Sequence, residues 1–212
     1  MTPIKHDWFE SDNLSPATPR LKDLFERAAG ALQEEDAALA SLFERSRKAR
    51  SEEKLEYFEH PGLTYGVFEN TLVYVILKAW LPVARVVWEA PYPDNRAHHA
   101  DLVIRRAGHK TDEYCFEAKW WHGKQSVPGI GNDVMRLCRP AALQADGRFV
   151  LTFWWNYQDN TQKDEGDVRN LAKQHAHHGV RPRYWARFPT QRQGTAGRAT
   201  EFVMCAFSVD PR

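Results

Sequence analysis

Several features that would assign this sequence to a broad class are missing from it. It has three cysteines, Cys115, Cys138 and Cys205, far apart and with no C-x-x-C pair. Neither a disulfide framework nor a zinc knuckle is expected, and a reducing, cytoplasmic setting fits best. The opening "MTPIKHDWFESDN" has no apolar h-region, so no secretory leader is expected there, although signal-less secretion stays open. Long hydrophobic runs are lacking too. The most apolar stretch, "TLVYVILKAWLPVARVVW", is broken by Lys78, Pro82 and Arg85 and is too short for a bilayer, so no membrane partner is expected. Charge of one sign is not in excess: 29 Lys and Arg against 28 Asp and Glu leave a formal +1. Any nucleic-acid partner must therefore be met by a local patch, not by a global basic field. There is no internal repeat and no low-complexity segment.

What remains is an ordinary globular composition. The 212 residues are 42% hydrophobic and 27% charged, enough for one large domain or two small ones with a real core. Residues 1–17 are polar and read as loose. Thr18-Pro19 suits a helix start, and Leu21, Leu24, Phe25, Ala28 and Leu32 follow at helical spacing. A second helical stretch runs through "DAALASLFERSRKARSEEKLEYF" until "HPGLTYG" breaks it. In "VFENTLVYVILKAW", Phe68, Leu72, Val75, Ile76 and Ala79 share one helical face, and Glu69 sits on its flank, an odd place for a charge.

Three strands are then predicted, in "ARVVWEA", "ADLVIRR" and "DEYCFEAKW", separated by the turns "PYPDNR" and "AGHK". "HGKQSVPGIG" reads as a glycine-rich loop, after which Asn132 caps a helix through "DVMRLCRPAALQ" that Pro140 kinks. "RFVLTFWW" has the near-continuous apolar character of a strand buried on both faces. A helix in "DEGDVRNLAKQHAHHG" ends at Gly179, and "RPRYWARF" and "EFVMCAFSV" read as two more strands. The expected organisation is a helical extension over residues 1–66 packed on an α/β domain over 67–212. A homodimer, or a protein partner meeting the N-terminal helices, is compatible with it.

The chemistry concentrates in "HADLVIRRAGHKTDEYCFEAKWW". Side chains alternate faces along a strand, so Asp101 shares a side with Val103, and Glu117 shares a side with Cys115 and Lys119. A tight hairpin about His109 pairs residues whose numbers sum to about 218. That register sets Asp101 opposite Glu117. Opposed like charges destabilise a sheet unless something lies between them, and two close carboxylates share a proton or bind a cation. Mg²⁺ takes one or two carboxylates with waters and phosphate oxygens, so Asp101 and Glu117 suffice, with the backbone carbonyl of Ala118 as a further ligand. Lys119 points to the same side and can orient water or stabilise charge on a phosphate. Glu69 can join as a third acid if its helix packs beside the sheet.

Asp101, the E-x-K of "FEAKW" with Glu117 and Lys119, and the order helix, three strands, helix, strand over 67–155 resemble the PD-(D/E)XK nuclease superfamily. Glu69 matches the acidic residue that many members carry on the first core helix. The resemblance implies a restriction-endonuclease-like αβββαβ core, here with a helical N-terminal extension and a C-terminal β-hairpin. It also implies a Mg²⁺-dependent endonuclease-type hydrolase, with Mn²⁺ able to substitute, acting on DNA rather than RNA. Its metal ligands are Asp101, Glu117 and the Ala118 carbonyl, Lys119 and Glu69 complete the catalytic set, and no other cofactor is implied. The literal Pro-Asp pair is Pro93-Asp94, so Asp94 competes with Asp101 for the motif position; Asp101 is preferred because it begins an apolar strand.

For nucleic-acid contact the sequence offers Lys124 and Gln125 after the E-x-K strand. It also offers Arg181, Arg183 and Arg187, interleaved with Tyr184 and Trp185 and extended by Arg192 and Arg198. Each has an ordinary alternative. The hairpin acids can be cross-strand salt bridges, Glu69 and Asp133 can be helix-start acids, and the arginines can be a solvated strand face. His175 and His178 on a helix could bind a transition metal, but a solvated helix end explains them more simply. The rival functions are a catalytically inactive nuclease-fold module that binds nucleic acid or a protein, and an interaction protein working through its N-terminal helices.

Overall fold

The computed structural model describes residues 2–9, 17–51, 63, 68–106, 108, 112–139, 145–193 and 199–210. It is an α/β fold: one seven-stranded mixed sheet flanked by four helices. The strands are β1 (Lys5–Trp8), β2 (Arg85–Pro91), β3 (His99–Arg105), β4 (Asp112–Trp120), β5 (Ala145–Tyr157), β6 (Arg181–Gln193) and β7 (Ala199–Ser208). The helices are α1 (Pro19–Ser51), α2 (Glu69–Trp80), α3 (Val127–Cys138) and α4 (Gln158–Gln174). The sheet order is β1-β6-β7-β5-β4-β3-β2, parallel only between β4 and β5. Helix α3 makes the crossover those two strands need. From α2 to β5 the chain runs helix, three antiparallel strands, helix, parallel strand.

Two apolar layers hold the sheet. On one side Leu21, Leu24, Phe25, Ala28 and Leu32 of α1 and Leu72, Ile76 and Trp80 of α2 meet Phe116, Phe149, Phe153 and Tyr184. On the other, Ile130, Val134 and Leu137 of α3 and Val168 and Leu171 of α4 cover Val103, Cys115, Val150, Trp154 and Trp185. Successive residues of β5 feed opposite layers, which is why its sequence is apolar almost throughout. The α1 stripe lies in the same core as the sheet, and Asp36, buried farther along α1, accepts the Leu63 N–H at 2.9 Å and the Gln191 N–H at 2.8 Å.

The structure differs from the sequence expectations at several points. Residues 5–8 are a strand on β6, not a loose segment; alternation puts Trp8 against Phe25 and Tyr184. Helix α1 starts as expected, with Thr18 Oγ1 accepting the Leu21 N–H at 3.1 Å, but it is one helix and not two. The residues joining the two expected helices, "QEED", contain no breaker. Phe68 precedes α2 and is 78% exposed, outside the buried face assigned to it. Helix α3 begins at Val127, with Pro128 in its first turn, so Asn132 and Asp133 lie mid-helix instead of capping it. The 66–67 boundary, His109, Pro140 and Arg198 fall outside the described residues, as does the Arg192 side chain. Among the described residues no helix is long and apolar enough to cross a membrane.

Candidate active site

Strands β3 and β4 pair at Leu102–Phe116, Val103–Cys115 and Ile104–Tyr114, the register in which residue numbers sum to 218. Beyond Leu102 the pairing gives way to side chains. Asp101 Oδ2 accepts the Ala118 N–H at 2.6 Å, and Glu69 Oε2, from the first turn of α2, accepts the Trp120 N–H at 2.9 Å. Alternate N–H groups along a strand point to the same neighbour. Two carboxylates thus satisfy the β4 edge where β3 leaves it, since a buried backbone donor must find an acceptor. On the other flank of β3, Glu89 lies between the paired residues Trp88 and Ala90 with φ 49°, a left-handed conformation uncommon for a non-glycine residue. This local twist sits level with Asp101.

Glu117 and Lys119 lie on the α3 side of β4. Glu117 is buried, and its Oε1 accepts from Tyr92 Oη at 2.6 Å and from Arg136 Nε at 3.2 Å. Lys119 Nζ donates to Glu69 Oε1 at 2.9 Å and lies 3.9 Å from Asp133 Oδ2. Asp133, also buried, takes a second guanidinium nitrogen of Arg136 on Oδ1, while its Oδ2 has no hydrogen-bond partner among the described residues. One connected cluster therefore holds four carboxylates, Glu69, Asp101, Glu117 and Asp133, against two cations, Lys119 and Arg136.

That imbalance shows in the ionisation of the acids. Burial, reinforced by the charge of Glu117, pushes Asp101 up to about 7 in spite of the Ala118 N–H. Burial also pushes Asp133 up to about 7, although Lys119 and Arg136 pull the other way. Glu117 is raised, burial outweighing its bonds from Tyr92 and Arg136. Burial by itself would lower Lys119, but the bond to Glu69 and the charge of Asp133 outweigh it and raise the ammonium pKa. Lys119 therefore stays a cation at neutral pH. Tyr92 is raised mainly by burial and stays a neutral donor.

The donor set suits a hard divalent cation. Asp101 Oδ1 and Glu117 Oε2 take no hydrogen bond among the described residues. The Ala118 carbonyl leaves the strand on the same edge as its N–H, toward Asp101. Two carboxylates, a carbonyl and water make an ordinary Mg²⁺ set. Among the described residues no three His, Cys, Asp or Glu side chains gather to hold a metal by themselves, and that includes His175, His177 and His178, whose rings lie against one another.

The remaining sequence candidates divide. Lys124 and Gln125 are exposed on a short 3₁₀ turn, Gly123–Ser126, at the end of the strand carrying Glu117 and Lys119. Arg96 in the β2–β3 turn and Arg139 at the end of α3 are exposed as well. Asp94 joins Arg139 at 3.6 Å instead of the acidic cluster. The arginines of β6 lie apart from the cluster. Arg183 is buried, and Arg187 pairs with Glu165 of α4 at 2.5 Å and with Asp7 at 3.7 Å. With Arg181, which is half-buried, they lie three strands from β4, roughly 14 Å away. Among the described residues they form no open basic face with the cluster.

Three members of the cluster were not among the expected site residues: Tyr92, Asp133 and Arg136. By sequence Asp133 reads first as a helix-start acid, because the glycines before it suggest a loop, with a role in orienting the site or substrate as the alternative. Pro128, followed by D-x-x-R at helical i, i+3 spacing, was the available signal. Comparison of the chain with family models, curated proteins and solved structures finds no match.

Proposed function

We propose that this chain is a metal-dependent nuclease of the PD-(D/E)XK type, with a restriction-endonuclease-like core in residues 67–155, that hydrolyses phosphodiester bonds in DNA. The observation that carries the reading is the cluster of four carboxylates and two cations at the point where β3 and β4 part, with Glu117 and Asp133 buried and the other four partly buried. With all four acids ionised it lacks two positive charges, the charge of one divalent ion, and buried charges are normally paired or bound to metal. The order of elements from α2 to β5 and the E-x-K on β4 support the same reading. Exposed Lys124, just beyond the strand that carries the E-x-K, suits a phosphate backbone.

Asp101, Glu117 and the Ala118 carbonyl hold Mg²⁺, for which Mn²⁺ substitutes. The chemistry supplied by the bound ion is Lewis-acid activation of water and neutralisation of phosphate charge. Lys119 offers a fixed positive charge to the non-bridging oxygens as negative charge develops on them. Its raised pKa makes it an electrostatic group and not a proton acceptor. Glu69 and Asp133 hold the ammonium from two sides, and Tyr92 fixes one oxygen of Glu117.

Supercoiled plasmid, linear duplex, single-stranded DNA and RNA, each with Mg²⁺ or with chelator, test the proposal. Mg²⁺-dependent cleavage of DNA, abolished by Asp101→Ala and by Lys119→Ala in folded protein, is expected. A second reading, a catalytically inactive module of the same fold, is favoured by one observation: Arg136 already donates to Glu117. Absence of both cleavage and Mg²⁺ binding in the wild-type protein would establish that alternative.

A further inference from the structure

We infer that Arg136 is a substrate-phosphate ligand held in reserve: it docks on Glu117 in the metal-free protein and moves to a nucleic-acid phosphate when Glu117 turns to a divalent cation. The inference rests on the metal-dependent nuclease reading.

The two donors on Glu117 Oε1 are unequal. Tyr92 Oη is 2.6 Å away, whereas Arg136 Nε is 3.2 Å away. Charge-assisted N–H···O bonds usually run about 2.7–2.9 Å, so Tyr92 is the tight partner and Arg136 the loose one. A second nitrogen of the same guanidinium is bound to Asp133 Oδ1, one turn back on α3. Loss of the Glu117 bond therefore leaves the arginine tethered near the site. Its third nitrogen, Nη1, has no partner among the described residues. The Arg136 side chain is 24% exposed, against 3% for Glu117 and 2% for Asp133. Of the three it is the one that reaches solvent, from which a phosphate would approach.

A planar guanidinium with free N–H groups matches phosphate better than a single carboxylate oxygen does. A divalent cation at Glu117 repels the guanidinium, and a phosphate bound to the same cation attracts it. Arg136 thus competes with the metal for Glu117 when metal is alone, and joins the metal on the phosphate when nucleic acid is present. Linkage then requires metal and nucleic acid to strengthen each other's binding. If Arg136 were only a core ion pair, its removal would leave nucleic-acid binding unchanged whatever it did to metal affinity.

Arg136→Gln separates the two roles. Mg²⁺ alone, titrated calorimetrically into the full chain, should bind about tenfold tighter to the variant, within the usual range of coupling between linked sites. A short fluorescent duplex in the presence of Ca²⁺ should bind about tenfold more weakly, with a salt slope smaller by about one phosphate contact. Arg136→Lys should keep wild-type metal affinity but recover only part of the duplex affinity, because lysine lacks the fork. Unchanged or weaker Mg²⁺ binding to folded Arg136→Gln overturns the inference, as does unchanged duplex binding. If Arg136→Gln does not fold, the role is structural and the inference fails unless Arg136→Lys folds and shows the duplex deficit. A wild-type protein that binds no divalent cation would instead remove the underlying nuclease reading.

Discussion

Asp101→Asn should stabilise the metal-free protein while abolishing cleavage. The Asp101 carboxyl stands at about 7 against an ordinary 3.8, chiefly because it is buried beside Glu117. Each pH unit of such displacement is worth about 1.4 kcal/mol, so the ionised form costs the fold about 4 kcal/mol. Asparagine removes that charge but keeps an oxygen for the Ala118 N–H. Exchanging a charged acceptor for a neutral one returns roughly 1 kcal/mol of the gain, and relaxation of the neighbouring acids takes more. A net gain of about 2 kcal/mol at pH 8 is expected, equivalent to a rise in Tm of about 4–8 °C for a chain of this size.

The pH dependence sets the sign. The folded pKa lies above the unfolded one, so the folded protein binds more protons between pH 4 and 7. Wild-type stability should therefore fall as pH rises through that window and level off above it. The variant should start level with the wild type near pH 4 and gain progressively to pH 7. Denaturant melts at pH 4.5, 6 and 8, with chelator, read this directly. Saturating Mg²⁺ at pH 8 should raise the wild-type midpoint and leave the variant unmoved. A variant less stable than wild type at pH 8, or a difference indifferent to pH, would refute the charge argument.

Other outcomes follow from single contacts. Lys119→Met should lower kcat by about 100-fold or more with a small change in KM, as expected when a group acts on charge that develops in the transition state; single-turnover kinetics on duplex DNA check it. Glu89→Gly should raise stability by about 1 kcal/mol by relieving the left-handed backbone, measured by urea denaturation. Asp36→Ala strands two backbone N–H groups, from Leu63 and Gln191, and should cost about 2–4 kcal/mol, whereas Asp36→Asn keeps an acceptor and should cost less; paired melts compare them.

Legibility in the sequence followed the range of the interactions. The α2-to-β5 order, the buried character of β5 and the start of α1 at Thr18 came from periodicity, capping and turns, all set within a few residues. The β3–β4 register came from the hairpin length. Where a local cue had two readings, the wrong one was available: glycines in "VPGIG" suggested a loop, although the segment is the first turn of α3. β1 was invisible because a four-residue polar strand exists only through its pairing with β6. The pairing of Arg187 could not be read from β6 because its partners, Glu165 and Asp7, sit on other elements.

By itself, then, the sequence determined which side chains leave β3 and β4 together: alternation and turn length are properties of the local backbone, and they put Asp101 beside Glu117 and Lys119. Only the tertiary structure decided the company those residues keep. Glu69 reaches Lys119 across 50 positions, and Asp133 and Arg136 enter from α3. The count of charges gathered there, and hence the shortage of positive charge on which the proposed activity depends, arises from how helices pack on the sheet. Burial is a property of that packing, and no window of sequence contains it.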